Sequence, residues 1–125
     1  MEILNGLYRL KKPHQVEEKH GGGILKHEVF WYLAFYNDSD LIGLYGSGPN
    51  DFRRFLSKDF DLKGKIIEQN ENQFAFFIHN PYSNEKIIFE GAIIENGRKL
   101  KLKAYNENTP QEIWIDDTFE YINVL

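Results

Sequence analysis

The chain has 125 residues, with 15 basic and 19 acidic side chains and no cysteine. That length suits one domain, 1–125, able to bury a core without staples. The missing thiols exclude a disulfide framework and Cys-based metal or nucleophile chemistry, and a formal charge of −4 argues against nucleic acid as the partner.

The opening MEILNGLYRLKKPH has its apolar runs broken by Glu2, Asn5 and Arg9, so it lacks the pattern of a secretory signal. No stretch reaches the length of a membrane span. The expected location is the cytoplasm with no membrane partner, a trimmed export signal being the alternative.

Period-two alternation runs through the chain. Leu4 to Lys11 predicts a strand with Tyr8 and Leu10 on one face, ended by Pro13, and a polar loop follows as far as Gly21, Gly22 and Gly23. Ile24 to Tyr36 predicts a long strand whose core face is the odd set from Leu25 to Phe35, including Trp31. The turn Asn37-Asp38-Ser39-Asp40 makes a hairpin with Leu41 to Ser47. Pro49-Asn50-Asp51 is a helix start, and Phe52, Phe55 and Leu56 fall at helical spacing before Lys58-Asp59 ends it; such a helix is expected to plug or lid a barrel mouth.

A run of hairpins completes the chain. Strands are predicted over Leu62 to Gln69, Gln73 to Asn80 and Lys86 to Glu95, with turns at Asn70-Glu71-Asn72 and Pro81 to Asn84. Asn96-Gly97 predicts a two-residue type I′ turn, which needs positive φ at both positions. Lys99 to Tyr105 puts Leu100, Leu102 and Ala104 inward against Lys99, Lys101 and Lys103 outward. The last strand runs from Glu112 to about Asn123, with a bulge expected at Asp116-Asp117.

The fold class is therefore all-β: an antiparallel up-and-down barrel of about eight strands with one short helix. Parallel pairing would need long crossovers, and closure removes the edges of a long meander. A two-sheet sandwich is the alternative.

The segments NGLYRL, FWYLAFYNDSDLIGLYGSG with PNDFRRFL, GKIIEQNENQFAFFI, IIFEGAIIENGRKLKL and FEYI follow an order that resembles the small bacterial lipocalin-like (calycin-type) barrels. Lipocalins proper carry a Gly-x-Trp at the first strand that packs across the barrel base; here Gly6 and Tyr8 hold those positions. The resemblance implies a closed barrel with an internal cavity and no particular ligand.

Chemistry-bearing clusters are few. His14, His20 and His27 with Glu17 and Glu18 invite a metal reading, but their spacing matches no ligand pattern, and no metal or cofactor is expected. Gly46-Ser47-Gly48 lacks the lysine and second glycine of a phosphate loop and reads as a turn. The four serines lie in turns or at element ends, with no nucleophile elbow. Asp116 and Asp117 point to opposite faces of a regular strand and make no acid–base pair there. The chain is expected to be no enzyme.

Two binding readings follow. From Ala104 to Leu125 there are five acidic residues and no Lys or Arg, whereas the first 103 residues hold all 15 basic and 14 of the 19 acidic ones, a net +1. Glu107, Glu112, Asp116, Asp117 and Glu120, with Trp114 or Tyr105 as an aromatic anchor, would then steer and hold a basic protein partner. Small, cytoplasmic, acidic chains of this kind resemble bacterial immunity proteins, including those paired with contact-dependent growth inhibition toxins, which neutralise a toxin such as a nuclease. The alternative is a carrier or sensor of a small hydrophobic ligand, held inside by Tyr8, Trp31, Phe35, Phe74, Phe76 and Tyr121.

Overall fold

The computed structural model describes residues 3–36 and 41–122. The turn at 37–40 and the end of the last strand at Asn123 lie outside the described residues. Strands β1 (Gly6–Leu10), β2 (His14–His20), β3 (Gly23–Tyr36), β4 (Leu41–Ser47), β5 (Leu62–Asn70), β6 (Gln73–Asn80), β7 (Glu85–Ile94), β8 (Lys99–Asn106) and β9 (Ile113–Ile122) follow in order, with helix α1 (Arg53–Ser57) between β4 and β5. Each strand from β3 to β9 pairs antiparallel with the next, β9 pairs with β1, and β1 pairs with β3. Eight strands thus close a barrel, and β2 stands outside the ring. The upper end is the one where β1 starts and β3 ends.

Residues 14–20, read from sequence as a polar loop, form β2. This strand pairs residue for residue with the first half of β3, from His14 opposite Val29 to His20 opposite Gly23. Gly21 and Gly22 turn the pair at φ +51° and +91°, backbone that glycine adopts without a Cβ penalty. Because β3 is 14 residues long, its upper half builds the barrel and its lower half carries β2 as a projecting arm. The polar composition that suggested a loop reflects an arm with water on both sides.

The barrel interior is a stack of rings. Tyr8 meets Phe35 edge-on at 5.4 Å, Phe35 meets Phe76 at 5.7 Å, and Phe76 stacks on Phe89 at 4.8 Å. Leu33, Ile78, Leu100, Leu102 and Phe119 fill between them, all but inaccessible to water. Gly64 on β5 and Gly91 on β7 sit where the neighbouring strand's backbone comes close. A Cβ at Gly64 would lie 1.6 Å from the Phe77 carbonyl oxygen, and one at Gly91 1.9 Å from that of Lys101. A glycine at such a position leaves room for the neighbouring backbone to close in.

A second core lies outside the barrel. The even residues of β3, Tyr32, Ala34 and Tyr36, are buried with Leu7, Tyr45, Phe55 and Phe60 beneath the segment carrying α1. The helix therefore covers the outer face of β1, β3 and β4 instead of a mouth, which corrects the expectation from sequence. The physical reason is that β3 is apolar on both faces, so its outer face needs a cover. Three hydroxyls pin that cover: Tyr32 donates to the Gly48 carbonyl at 2.7 Å, Tyr45 to that of Asp51 at 2.9 Å, and Tyr36 to that of Phe55. Ser47 donates to the Asp51 carboxylate, which with Arg53 holds that carboxyl below its ordinary range.

Two further local expectations are corrected. The β7–β8 connection is a four-residue loop, Glu95–Arg98, closed by the pair Ile94–Lys99, and its positive φ extends over Glu95, Asn96 and Gly97. The bulge of β9 falls at Trp114: Ala104 pairs with Ile115 and Tyr105 with Ile113, while Asp116 and Asp117 keep regular register with Lys103 and Leu102.

Burial raises the Tyr8 and Tyr36 phenols to about 12 and the Tyr45 phenol further still. Protons held more tightly in the folded chain than in the unfolded one stabilise the fold below about pH 10, where both states are protonated. That contribution is lost as pH rises from about 10 towards 12, and for a fully buried ring such as Tyr8 it amounts to up to about 3 kcal/mol. Urea unfolding midpoints are therefore expected to be flat from pH 8 to 9.5 and to fall steeply above pH 10. A Tyr8→Phe variant should show a shallower alkaline fall.

Candidate functional site

Of the residues proposed to line a ligand cavity, Tyr8, Phe35, Phe74, Phe76 and Tyr121 pack ring against ring inside the barrel. Phe74 stacks on Phe76 at 5.6 Å, and Tyr8 meets Tyr121 edge-on at 5.2 Å. At the upper end the Tyr8 hydroxyl accepts the Leu4 N–H at 2.9 Å and donates to the Gly97 carbonyl, while Tyr121 lies over Gly6 and donates to the Asn5 carbonyl at 3.0 Å. This end is closed by rings and their own hydrogen bonds. Trp31 belongs to the other end.

The acidic residues are spread by the register. Asp116 lies opposite Lys103, and Glu120 opposite Lys99 on one side and Arg9 on the other. Glu90 flanks Lys103 from β7, and Glu95 pairs with Lys99 at 3.3 Å. The outer face of β7–β9 is thus a ladder of alternating charge. A shallow basin of about 520 Å³ opens there, its lining including Ala75, Ala92, Glu68, Glu90, Lys101 and Lys103. Asp117 shares the inward side of β9 with its neighbour Leu102, and its carboxylate accepts the Thr118 N–H at 2.7 Å. Glu107 and Glu112 are exposed in the β8–β9 loop at the lower end, away from this ladder.

The lower end has a seam. β1 pairs with β9 only from Leu7 to Leu10, with one further bond from the Lys11 N–H to the Thr118 carbonyl. Pro13 then diverts the chain into β2, which pairs with β3 alone, so Ile113–Asp117 of β9 is paired on the β8 side only among the described residues. Three rings close this seam. Trp31 and Trp114 meet edge-on at 4.8 Å, His14 lies 6.1 Å from Trp114 and 6.5 Å from Trp31, and the Trp31 Nε1–H donates to His14 Nδ1 at 3.2 Å. Trp31 rests over Gly46, where a Cβ would come within 3.2 Å of the indole. Trp114 reaches inward to Phe89 at 6.4 Å yet is 36% exposed, and its neighbour Ile113 is 42% exposed. On the arm, Ile24 and Leu25 are 63% and 51% exposed.

This three-ring seam was missed from sequence, although Trp114 was chosen as an anchor. His14 and Trp114 stand near opposite ends of the chain, and only closure of the barrel brings them together. The three histidines do not converge: His14 sits at the seam, His20 at the arm's tip, and His27 stands 3.8 Å from Glu18. Among the described residues no group of three or more His, Asp or Glu could hold a metal, and no helix is long and apolar enough to cross a membrane.

Fold and site together define a closed eight-stranded antiparallel barrel with a ring-filled interior, a projecting arm and an aromatic seam beside it. Comparison of the chain with protein-family models, curated proteins and solved structures found no match.

Proposed function

We propose that this chain is a non-catalytic binding protein that engages a protein partner with the lower end of its barrel. The observation that carries this reading is Trp114, part-exposed beside Ile113 on a stretch of β9 that, among the described residues, has no second strand partner. A large ring fixed on a rigid strand, partly buried and partly wet, is the kind of residue that anchors interfaces. Glu107 and Glu112 next to it suit a basic partner, because charge of the opposite sign speeds encounter.

The specific form of the proposal is an immunity-type protein that neutralises a basic toxin in the cytoplasm. Its support is small size, a net charge of −4 and the absence of cysteine. A calycin-type relationship is part of it, supported by the closed barrel and by Tyr8, two positions after Gly6, spanning one end. The packed ring column supports work at the outer surface over carriage of a hydrophobic ligand within.

The test begins with a partner captured from the native host. The Glu107→Lys, Glu112→Lys double variant is expected to slow association about tenfold at low salt, with the difference shrinking at high salt. Trp114→Ala should speed dissociation by about tenfold or more. Unchanged kinetics in both variants would remove this end of the barrel as the binding face.

A further inference from the structure

We infer that the outer face of β6, β7 and β8 is a self-association surface, on which a second copy of this chain docks face to face.

The register builds the surface. Phe76, Ile78, Phe89 and Ala104 are buried in the core, so the residues next to them on each strand point outward. Phe77 stands opposite Ile88, Ile88 opposite Tyr105, and Tyr105 opposite Ile113. Four large apolar side chains thus form one stripe across the outside of four strands. Phe77, Ile88 and Tyr105 are half-buried, and Ile113 is exposed.

Charged rows flank the stripe on both sides. The row above it is Ala75, Glu90 and Lys103. The row below is His79, Lys86 and Glu107, where His79 pairs with Lys86 and the Glu107 N–H bonds to the Lys86 carbonyl at 2.9 Å. On β7 a carboxylate therefore stands above Ile88 and an ammonium below it. On β8 the order is reversed, with Lys103 above Tyr105 and Glu107 below. Among the described residues none of these four charges forms an ion pair within the chain. Glu90 accepts the Tyr105 hydroxyl at 3.3 Å, and Lys86 Nζ lies 5.0 Å from the centre of the Phe77 ring. Both charges are thus already held beside the stripe.

This pattern is complementary to itself. A two-fold axis laid along the stripe turns a second copy over, so that stripe meets stripe as in two stacked sheets about 10 Å apart. The same rotation sets the lower row of one copy against the upper row of the other. Glu90 then faces Lys86 of the partner subunit, and Lys103 faces Glu107 of the partner subunit. The symmetry makes each pair twice. An apolar stripe alone would accept many surfaces. The match of opposite charge on both β7 and β8 singles out a second copy of the chain. The match fails only at β9, where Asp116 above the stripe and Glu112 below it carry the same sign, and there the barrel wall curves away from the contact.

Sedimentation velocity of the wild-type chain is expected to show a monomer–dimer equilibrium with a dissociation constant of about 10–100 μM, because three strands per copy lie at the small end of interface sizes. Amide shifts of Phe77, Ile88 and Tyr105 should move with protein concentration over the same range, a measurement that needs no variant. Glu90→Lys and Lys86→Glu each place like charges in contact twice, and each should weaken the dimer about tenfold or more. The Glu90→Lys, Lys86→Glu double variant restores both pairs with their signs exchanged, so it should regain wild-type association to within about threefold. Far-UV circular dichroism checks that all three variants are folded. A wild-type chain that stays monomeric up to about 500 μM overturns the inference, even if this face binds some other protein. So does a dimer whose concentration-dependent shifts lie elsewhere, a dimer indifferent to both single reversals, or a double variant that does not recover. Glu90 and Lys86 lie outside the lower-end face proposed above, and Glu107, which belongs to both, is left unchanged. The two readings therefore fail separately.

Discussion

Replacing Phe76 with alanine is expected to cost about 4 kcal/mol, enough to leave a domain of this size marginal or unfolded at 37 °C. Phe76 is fully buried and stands at the centre of the ring column, touching Phe35 edge-on and Phe74 and Phe89 face-on. Truncation removes the transfer energy of the ring and leaves a void that stiff neighbouring strands cannot close. The rings around it lose their partners at the same time. Urea unfolding followed by far-UV circular dichroism would measure the loss. A cost below about 1.5 kcal/mol, the range of volume-conserving swaps, would mean that the interior is looser than the contacts described here. Phe76→Leu is the graded companion and should lose distinctly less.

The second large effect is expected at a glycine. Gly64→Ala should destabilise by about 3 kcal/mol or more, because the added methyl would fall 1.6 Å from a backbone oxygen of β6. A side chain could rotate away from such a clash, but the Phe77 carbonyl belongs to the strand pairing of β5 with β6 and moves only if the strands separate. Gly48→Ala is the control: nothing lies within 4 Å of the position where its Cβ would stand, and its change should stay within about 0.5 kcal/mol. Thermal unfolding midpoints of the two variants separate the effects, since about 1 kcal/mol corresponds to a few degrees at this size. Equal midpoints would show that β5 and β6 are not held as closely at Gly64 as their geometry demands.

Both predictions rest on how closely the strands pack around the core, and β3 organises that packing. β3 buries one face inside the ring and the other beneath α1, so its upper half is shared by two cores while its lower half has none. The same strand is therefore buried on both faces at one end and exposed on both at the other. The seam lies where the two regimes meet, and there the chain spends His14, Trp31 and Trp114.

Much of this was legible in the amino-acid order. Clean alternation in Phe74, Phe76, Ile78 and in Leu100, Leu102, Ala104 set the inward faces of β6 and β8, since period two is the geometry of a strand and is independent of its neighbours. Short turns set antiparallel order, and with it closure. Composition could not show that His14 to His20 is a strand, because a polar run forms one only when a neighbour offers a complete edge, as β3 does. Nor could it place α1, whose apolar side fits a mouth or a flank equally well until β3 proves apolar on both faces.

Charge was legible in amount and misleading in arrangement. The acidity after Ala104 is a property of the order of residues, but the field it makes depends on which lysines the register sets beside Asp116 and Glu120. The barrel itself was determined by the sequence, through local periodicity and turn chemistry. The seam was decided only by tertiary structure, because a contact between residues near the two ends of the chain exists only once the ring has closed.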